Sequence, residues 1–372
     1  MKILAIELRR LELELVAPLV TATGEHRRRP IVLVHVETEE GGGNGECDAL
    51  LEPGYTAEHA DGAETVLAER LIPLLLAGAG EVGTAAEALA RLALVPGNPM
   101  AKAALEMALL DAGLRAEGRS LASMLGATRP AIPAGATVGI GDTPAVVAAA
   151  RAAAAVGYRR VKLKIAPGRD VAALGAVRRE LSDVAIVADA NGSYDLGHAD
   201  DRAALRAIDA LGLAALEQPL AAGDLAGSAR LVSELVTPVV LDESIDSMAA
   251  LEAALAAGAC SGVAVKPARL GGVAAAVRVH DTCVAAGVHL SIGGMLEAGI
   301  ARAASIAVGA LRGFDLPGDL GSSDRYFRPD VTAPHVLVAG ELPVPTGPGL
   351  GVVPDPAVVE AATARCRVFR AS

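Results

Sequence analysis

The segment Arg160–Asn191, with the sequence RVKLKIAPGRDVAALGAVRRELSDVAIVADAN, carries the pattern that decides the fold. Short apolar runs at 160–165 and 184–190 stand on either side of an Ala-rich stretch of helical character. Apolar strands that alternate with helices are typical of a parallel sheet covered by helices. We therefore predict that this segment forms one strand–helix–strand unit.

The same alternation extends in both directions, from about residue 132 to about residue 317. Eight apolar runs are candidate strands, namely Ala131–Ile140, Arg160–Ile165, Val184–Ala190, Leu213–Pro219, Pro238–Asp242, Val263–Pro267, Val288–Gly293 and Gly313–Pro317. Eight such units in one domain favour a closed barrel of the α/β class. An open, doubly wound sheet is the alternative, but no Gly-x-Gly-x-x-Gly sequence follows the first candidate strand.

The residues before and after the barrel pattern have a different character. The N-terminal part combines two alternating, strand-like segments with three helical ones, at Met1–Leu15, Pro30–Glu39, 57–77, 84–93 and 100–117. The glycine-rich stretch Gly41–Gly45 predicts a turn. The C-terminal residues are rich in Pro and Gly, and we expect them to return to the N-terminal part. We predict an α+β domain at 1–127, the barrel at 128–319 and a C-terminal segment at 320–372.

The amino-acid composition argues against some classes of binding partner. The 372 residues are 52% hydrophobic and only 2% aromatic, and their formal net charge is −11. A chain this acidic has no general attraction for phosphate backbones or anionic lipid, so we expect no nucleic-acid partner and no membrane. The charged stretch 1–20 lacks the features of a signal peptide, and the four cysteines form no zinc-binding spacing. We therefore expect a cytoplasmic protein with reduced thiols.

Charged residues interrupt the ends of successive candidate strands. They recur at intervals of 24 to 31 residues, at Lys164, Asp189, Glu217, Asp242, Lys266 and Glu297. A strand–helix unit of a barrel has about 25–30 residues, so each interval corresponds to one unit. Each residue alone could be an exposed strand residue, a helix cap or a loop carboxylate. Their common spacing instead predicts a cluster at the C-terminal face of the barrel, where barrel enzymes build active sites.

The types of residue in this cluster indicate a chemistry. Asp189, Glu217 and Asp242 are oxygen ligands suited to Mg²⁺, with Mn²⁺ as the alternative, and they leave coordination positions for water or substrate. Lys164 and Lys266, on the second and sixth candidate strands, face each other across the barrel. A lysine beside a cation and another lysine has a lowered pKa and can act as a base. The set predicts removal of a proton α to a carboxylate, with a metal ion stabilising the enediolate.

Five motifs resemble the enolase superfamily in its muconate-lactonizing subgroup: KLK at 162–164, DAN at 189–191, EQP at 217–219, LDES at 241–244 and VKP at 265–267. The resemblance covers nearly the whole chain. It implies a modified TIM barrel, (β/α)7β, with an α+β capping domain that the C-terminal tail completes. It also implies a set of site residues: Asp189, Glu217 and Asp242 on Mg²⁺, Lys164 and Lys266 as the acid/base pair, Lys162 at the substrate carboxylate, and Asn191 and Glu243 nearby.

Within the subgroup, KIAPGRD at 164–170 and GGMLEAGIARA at 293–303 are similar to o-succinylbenzoate synthases and to the N-acylamino acid racemases grouped with them. The similarity implies Mg²⁺-dependent loss of water from a small carboxylate, 2-succinyl-6-hydroxy-2,4-cyclohexadiene-1-carboxylate, in menaquinone biosynthesis, by a homo-oligomer. Racemisation of N-acylamino acids is the first alternative, because the same residues serve both reactions. Dipeptide epimerisation and muconate cycloisomerisation are further alternatives. The substrate-binding residues implied are Lys162, Asn191, Gly293, Gly294, Met295 and Glu297.

The segment Val20–Arg29 is expected to cap the barrel and to shape its specificity. Its arginines, Arg27, Arg28 and Arg29, are candidates for binding a second carboxylate of the substrate, and charged surface residues are the alternative interpretation. The few aromatic side chains that could reach a substrate are Tyr55, Tyr194, Tyr326 and Phe327. We expect the substrate to be held by metal, lysines and aliphatic walls rather than by stacking.

Overall fold

The structure of the protein, a computed structural model, describes residues 1–316 and 318–371. Its strands are β1 (Ile3–Thr21), β2 (Gly24–Thr38), β3 (Gly41–Cys47), β4 (Ala131–Pro133), β5 (Gly135–Val138), β6 (Arg160–Lys164), β7 (Ala185–Asp189), β8 (Ala215–Glu217), β9 (Val239–Leu241), β10 (Gly262–Val265), β11 (His289–Ile292), β12 (Glu341–Pro343) and β13 (Thr363–Arg370). They form a four-stranded antiparallel sheet, β13-β1-β2-β3, a seven-stranded parallel sheet, β5 to β11 in chain order, and the pair β12-β4.

Helices cover both large sheets. The α-helices are α1 (Ala60–Val66), α2 (Ile72–Leu76), α3 (Ala85–Leu92), α4 (Pro99–Ala116), α5 (Leu121–Leu125), α6 (Thr143–Val156), α7 (Val171–Glu180), α8 (Ala199–Asp209), α9 (Leu225–Glu234), α10 (Met248–Ala256), α11 (Pro267–Leu270), α12 (Val273–Ala286), α13 (Gly299–Gly309) and α14 (Pro356–Ala362). A π-helical turn, Leu67–Leu71, joins α1 to α2, and a 3₁₀ turn lies at Ser323–Arg325. In the part of the chain that the structure describes, none of these helices is long and apolar enough to span a bilayer.

The seven parallel strands confirm the predicted barrel, but its eighth position is not a regular strand. Of the candidate strand Gly313–Pro317, whose last residue lies outside the described residues, Phe314 pairs with Leu290 of β11 through a single bridge. On the other side, the backbone N–H of Gly135 on β5 donates to the carbonyl of Leu320 at 3.3 Å. Phe314 and Leu320 therefore contact the two edge strands of the sheet and close the barrel.

The predicted turn at Gly41–Gly45 is wrong, because these residues begin strand β3. Helix α4 lies directly on this strand. A β-carbon on Gly45 would come within 1.9 Å of the backbone oxygen of Ala104. One on Gly43 would lie 2.2 Å from the corresponding oxygen of Ala108. The glycines are thus explained by the close approach of a helix and not by a change of chain direction.

The C-terminal residues return to the N-terminal sheet, in line with the expectation from the sequence. Strand β13 pairs antiparallel with β1, so that Arg370 stands opposite Ala5 and Thr363 opposite Leu11. The four-stranded sheet therefore contains strands from both ends of the described chain. We refer to this sheet with helices α1–α4 as the cap.

Two buried carboxylates of the cap bind the first amides of barrel helices. Glu106, on α4, accepts hydrogen bonds from the backbone N–H groups of Val273 and Ala274, the latter at 3.0 Å. Glu46, on β3, accepts from Ala298 at 2.5 Å and from Ala301 at 3.0 Å. Unpaired amides at a helix N-terminus and the positive end of the helix dipole both favour such contacts. They fix the position of the cap on α12 and α13, beside the mouth of the barrel.

Replacing Glu106 with alanine is expected to lower the free energy of unfolding by about 2–4 kcal/mol, because one buried and one partly buried backbone donor lose their acceptor. Urea denaturation followed by circular dichroism measures this change. Glu117, exposed at the C-terminal end of the same helix, provides the matched control. Its replacement with alanine is expected to change the free energy by less than about 0.5 kcal/mol. Equal effects of the two substitutions would contradict the assigned contact.

The pH dependence of stability offers a second readout of the same residue. Burial raises the pKa of Glu106 to about 7, from 4.5 for the free side chain, against the opposing effects of the two amides and Arg278. The folded protein therefore binds a proton more tightly than the unfolded chain. The resulting stabilisation is complete below pH 4.5 and is lost as the pH rises to about 7. The stability difference between the wild type and E106Q should change across this window, and parallel curves would contradict the assignment.

Candidate active site

A cleft lies between the C-terminal ends of the barrel strands and the cap, with about 710 Å³ of empty space including its open mouth. The barrel contributes charged and polar side chains to its lining, namely Lys162, Lys164, Asn191, Lys266 and Asp319. The loop after β11 contributes Gly294, Met295, Leu296 and Glu297. The cap and the loop between β3 and α1 contribute Leu19, Thr21, Thr23, His26, Leu50 and Tyr55. The barrel side of the cleft is thus more polar than the side formed by the cap.

The alternation of strand β6 explains how its lysines reach the cleft. Val161 and Leu163 point outward into the main hydrophobic core and are at most 1% exposed. Side chains of a strand alternate between its two faces, so Arg160, Lys162 and Lys164 point to the barrel interior. There they meet carboxylates, which offset the cost of burying their charge.

The three predicted metal ligands lie side by side. In the register of the parallel strands, Lys164 stands beside Asp189, and Asp189 beside Glu217. Asp242 directly follows β9, the next strand of the sheet. The three carboxylates are at most 1% exposed, and they lie beneath the lining of the cleft.

Each of these carboxylates has one oxygen held by a donor of the protein framework. The contacts are Asn191 N to Asp189 Oδ1 at 3.1 Å, Arg160 Nη2 to Glu217 Oε2 at 3.2 Å, and Arg269 Nη1 to Asp242 Oδ1 at 2.5 Å. The other oxygen of each faces a lysine. These contacts are Lys164 Nζ to Asp189 Oδ2 at 2.7 Å, Lys162 Nζ to Glu217 Oε1 at 2.8 Å, and Lys266 Nζ to Asp242 Oδ2 at 2.8 Å.

Burial and neighbouring cations act in opposite directions on the carboxylates. Burial alone raises the pKa of Asp189, but the two lysines of β6 outweigh it and lower that pKa. Arg269 and the lysine after β10 have the same effect on the pKa of Asp242. At Glu217 burial prevails over the attraction of Lys162, and the pKa rises to about 8. Negative charge at this site therefore depends on nearby positive charge.

The chemistry of the donor set, though not its spacing in this structure, suits a hard divalent cation. The set consists of carboxylate oxygens, which Mg²⁺ and Mn²⁺ prefer. Among the described residues, no three acidic, His or Cys side chains are gathered closely enough to share one ion. The lysine ammonium groups stand between the carboxylates and supply the positive charge. The oxygens of Asp189, Glu217 and Asp242 that these ammonium groups contact are the ones available to a metal ion.

The two lysines predicted as acid and base lie on opposite sides of the cleft. Lys164 ends β6 and Lys266 follows β10, four strands further along the sheet. In a barrel with eight positions, four positions correspond to half a turn. Lys266 Nζ also lies 2.6 Å from the hydroxyl of Tyr55. Gly293 makes room for its aliphatic chain, because a β-carbon there would lie 2.6 Å from Lys266 Cε.

The loop after β11 brings Gly294, Met295 and Glu297 to the cleft. The carboxylate of Glu297 accepts a hydrogen bond from Met295 N at 2.5 Å and is 1% exposed. Its other oxygen has no hydrogen-bond partner among the described residues. This oxygen is buried and lies 3.8 Å from Arg302 Nη2, so Glu297 is also part of an ion pair. Gly293, predicted to bind substrate, lies instead beneath the chain of Lys266 and is not among the lining residues.

The arginines of the segment Val20–Arg29 do not line the cleft that the structure describes. Arg29 is 1% exposed and donates to backbone carbonyls, among them Ala49 at 2.7 Å and Leu296 at 3.1 Å. Arg27 and Arg28 are exposed and pair with glutamates of the same hairpin. The first interpretation, contact with a second substrate carboxylate, is therefore not supported. Arg29 instead connects the cap to the loop after β11.

Several residues of the site were not predicted from the sequence. Arg160 precedes Lys162 by two residues, so the strand alternation was a signal that could have revealed it. Arg269 lies one helical turn after Lys266, and both cations contact Asp242. His26 lines the cleft, and no metal-binding or catalytic motif marks it in the sequence. Of the aromatic candidates, Tyr55 and Tyr326 line the cleft, whereas Tyr194 and Phe327 are buried elsewhere.

Comparison with known proteins agrees with the fold. Residues 5–126 match the family model for the mandelate racemase / muconate lactonizing enzyme N-terminal domain, and residues 145–358 match the enolase C-terminal domain-like model. An N-succinylamino acid racemase from an Amycolatopsis species is 47% identical over 98% of both chains. An o-succinylbenzoate synthase from Geobacillus stearothermophilus is 40% identical over 97% of this chain and 96% of the other. A solved enolase-superfamily structure from Listeria innocua superposes with a TM-score of 0.94, at 35% identity, over the full length of both chains.

Proposed function

Because the chain belongs to the mandelate racemase / muconate lactonizing enzyme family of the enolase superfamily, we propose that it abstracts the proton α to a substrate carboxylate. The first candidate reaction is the conversion of 2-succinyl-6-hydroxy-2,4-cyclohexadiene-1-carboxylate into o-succinylbenzoate and water. The observation that carries this proposal is the row of three buried carboxylates between two opposed lysines. Relatives with 36–40% identity over most of their length include o-succinylbenzoate synthases, which supports this choice.

Asp189, Glu217 and Asp242 would hold Mg²⁺, and Mn²⁺ is the alternative. When bound, the ion would attract the substrate carboxylate and offset the negative charge that develops as the proton leaves. Lys162 would add a positive charge at the same carboxylate, since its ammonium group lines the cleft beside Glu217 and Asp319. We also propose that the chain divides after residue 127 and after residue 319. These boundaries separate the N-terminal domain, the barrel and the C-terminal segment that returns to the N-terminal sheet.

Lys164 is the proposed base. Its Nζ lines the cleft and contacts Asn191 Oδ1 at 2.8 Å, which fixes the direction of the amine. As a neutral amine it would take the proton from the carbon that bears the carboxylate. It would then give that proton to the hydroxyl group leaving from the same face, so that the substrate loses one molecule of water. Lys266, on the other face, would stabilise the developing negative charge.

The remaining proposed substrate contacts come from the loop after β11. Gly294 and Met295 form part of the wall, and Glu297, which also lines the cleft and pairs with Arg302 at 3.8 Å, would accept a hydrogen bond from the substrate. Gly293 contributes indirectly, because it leaves space for the chain of Lys266. Assembly as a homo-oligomer and a cytoplasmic location remain predictions from the sequence.

Racemisation of N-acylamino acids is the second candidate function. It is favoured by the position of Lys164 and Lys266 on opposite sides of one cleft. One lysine would remove the α-proton from one face, and the other would return a proton to the opposite face. The relative with 47% identity is an N-succinylamino acid racemase, which also supports this activity. The two reactions can share one site, because both begin with the same proton transfer.

Removal of divalent cations is expected to reduce both activities at least about 100-fold, because the developing charge would lose its main stabilisation. Protein treated with a chelator and then dialysed is assayed on 2-succinyl-6-hydroxy-2,4-cyclohexadiene-1-carboxylate by absorbance, and on N-succinylamino acids by polarimetry. Adding Mg²⁺ or Mn²⁺ should restore turnover, whereas Na⁺ at equal ionic strength should not. Full activity in the chelated protein, or no turnover of either substrate with Mg²⁺, would refute the proposed function.

A further inference from the structure

We propose that Arg160 sets the metal selectivity of this site. By holding one oxygen of Glu217, it leaves the cation a single oxygen from that ligand and so favours a small ion, Mg²⁺, over a large one, Ca²⁺. The inference rests on the metal site of the proposed function. It concerns a residue that lies outside the cleft and has no part in the proton transfers.

Arg160, Lys162 and Lys164 share one face of β6, and Arg160 lies deepest in the barrel of the three. It is the first residue of the strand, and its side chain points into the barrel below Lys162 and Lys164. Its exposed fraction is only 3%, so its charge is almost completely removed from water. A guanidinium group buried to this extent requires a carboxylate partner. Its Nη2 atom lies 3.2 Å from Glu217 Oε2.

Both oxygens of Glu217 are therefore engaged from different directions. Oε2 faces Arg160, and Oε1 lies 2.8 Å from Lys162 Nζ, at the level of the neighbouring carboxylates. Turning the carboxylate so that both oxygens face the centre of the site would break the contact with Arg160. The guanidinium group would then remain buried with less negative charge beside it, which is costly. Glu217 can thus offer one oxygen to a cation at little cost, but not two.

This restriction matters because the two common divalent cations differ in their demands. Mg²⁺ requires nearly octahedral coordination at about 2.0–2.1 Å and is satisfied by single carboxylate oxygens and water. Ca²⁺ is larger, takes about six to eight oxygen ligands and readily accepts both oxygens of one carboxylate. A ligand that is limited to one oxygen consequently disfavours Ca²⁺. The orientation of the ligand by Arg160 would also raise the affinity for Mg²⁺, as outer hydrogen-bond partners of metal ligands commonly do.

Metal binding to the chelated protein, measured by isothermal titration calorimetry, tests this assignment without an activity assay. We expect the wild type to bind Mg²⁺ at least about 10-fold more tightly than Ca²⁺, given their coordination demands. In R160M the affinity for Mg²⁺ should fall about 10- to 100-fold, as for other outer contacts of metal ligands. The affinity for Ca²⁺ should fall much less, because Glu217 is then able to turn. The ratio of the two affinities should therefore shrink at least about 5-fold.

Arg10 provides a matched control. It is a buried arginine of the cap, 4% exposed, and it pairs with Glu12 and Asp61. R10M removes the same charge from a buried position, so it should lower thermal stability while leaving the Mg²⁺ to Ca²⁺ ratio unchanged. R160K keeps the positive charge on a shorter side chain with fewer donors and should lie between the wild type and R160M.

The outcomes separate this inference from the proposed function. A wild type that binds no divalent cation would refute the metal site itself. A wild type that binds Ca²⁺ as tightly as Mg²⁺ would overturn the role of Arg160, and this measurement needs no variant. An unchanged affinity ratio in R160M, or in R160K if R160M does not fold, would overturn it as well.

Discussion

Replacing Lys164 with alanine is expected to lower the rate of o-succinylbenzoate formation by about 10³-fold, within the about 10²–10⁴-fold contribution of general acid–base catalysis. In the structure, Lys164 Nζ is held between Asp189 Oδ2 at 2.7 Å and Asn191 Oδ1 at 2.8 Å. Among the described residues, the other lysine on this side of the cleft, Lys162, is 2% exposed and engaged by carboxylates, so it is not oriented as Lys164 is. A single-turnover assay at saturating Mg²⁺ measures the loss directly.

The K164A result can be separated from damage to the metal site. Removing an ammonium group beside Asp189 should leave the affinity for Mg²⁺ unchanged or raise it, because the lysine and the metal compete for one oxygen. Lys2, an exposed lysine that pairs with Glu39, supplies the matched control, and K2A should retain full activity. If K164A kept more than a tenth of the wild-type rate at saturating metal, Lys164 could not be the base.

The second large effect is expected for replacement of Lys266, on the rate of racemisation. K266A should lose interconversion of N-succinylamino acid enantiomers by about 10²–10⁴-fold, because one face of the substrate no longer has an acid or base. Exchange of the α-proton with deuterium should nevertheless continue for the enantiomer whose proton faces Lys164. Proton NMR in D₂O follows the exchange for each enantiomer separately.

The K164A variant tests the same assignment from the other face of the substrate. K164A should show the opposite preference, with exchange only in the enantiomer whose proton faces Lys266. This mirror relationship follows from the positions of β6 and β10, four strands apart in the sheet. Exchange of both enantiomers in K266A would mean that a single base serves both faces, and the assignment of two opposed lysines would then be wrong.

The sequence allowed the barrel and the strand-end residues to be predicted because both follow from strict spacing. A strand–helix unit has a nearly constant length, so Asp189, Glu217 and Asp242 fall at equivalent positions in successive units. The alternation within β6 likewise placed Lys162 and Lys164 on one face. Patterns of this kind are local and can be found in one chain.

Features that depend on contacts between distant segments could not be predicted in the same way. The glycines of β3 resemble a turn until helix α4 is placed against them. Arg29 resembles a surface or substrate-binding residue until its carbonyl partners are brought together from the cap and the loop after β11. Among the described residues, Phe314 and Leu320 close the ring through contacts with strands distant in sequence, and these contacts cannot be read from the segment itself.

Part of the acidic character of the chain comes from the carboxylates at the barrel mouth. The carboxylates at the barrel mouth are balanced by a layer of cations, the buried Arg160, Lys162, Lys266 and Arg269 and the partly buried Lys164. Binding a divalent ion must therefore displace or reposition some of these ammonium groups. Metal affinity is consequently expected to depend on where the lysines move, and the proposed substrate carboxylate is the group that can receive them.

The pairing of β13 with β1 has a consequence for the order in which the protein is made. Strand β1 leaves the ribosome long before β13, so Ala5, which pairs with Glu37 of β2 on one side, gains its partner on the other side only when Arg370 has been synthesised. One edge of the cap sheet therefore stays open throughout the synthesis of the barrel, and its closure requires a contact of very high sequence separation. During that interval the nascent N-terminal strand presents unpaired backbone groups to its surroundings. Synthesis of β13 thus also ends the period in which this edge of β1 is open to mispairing.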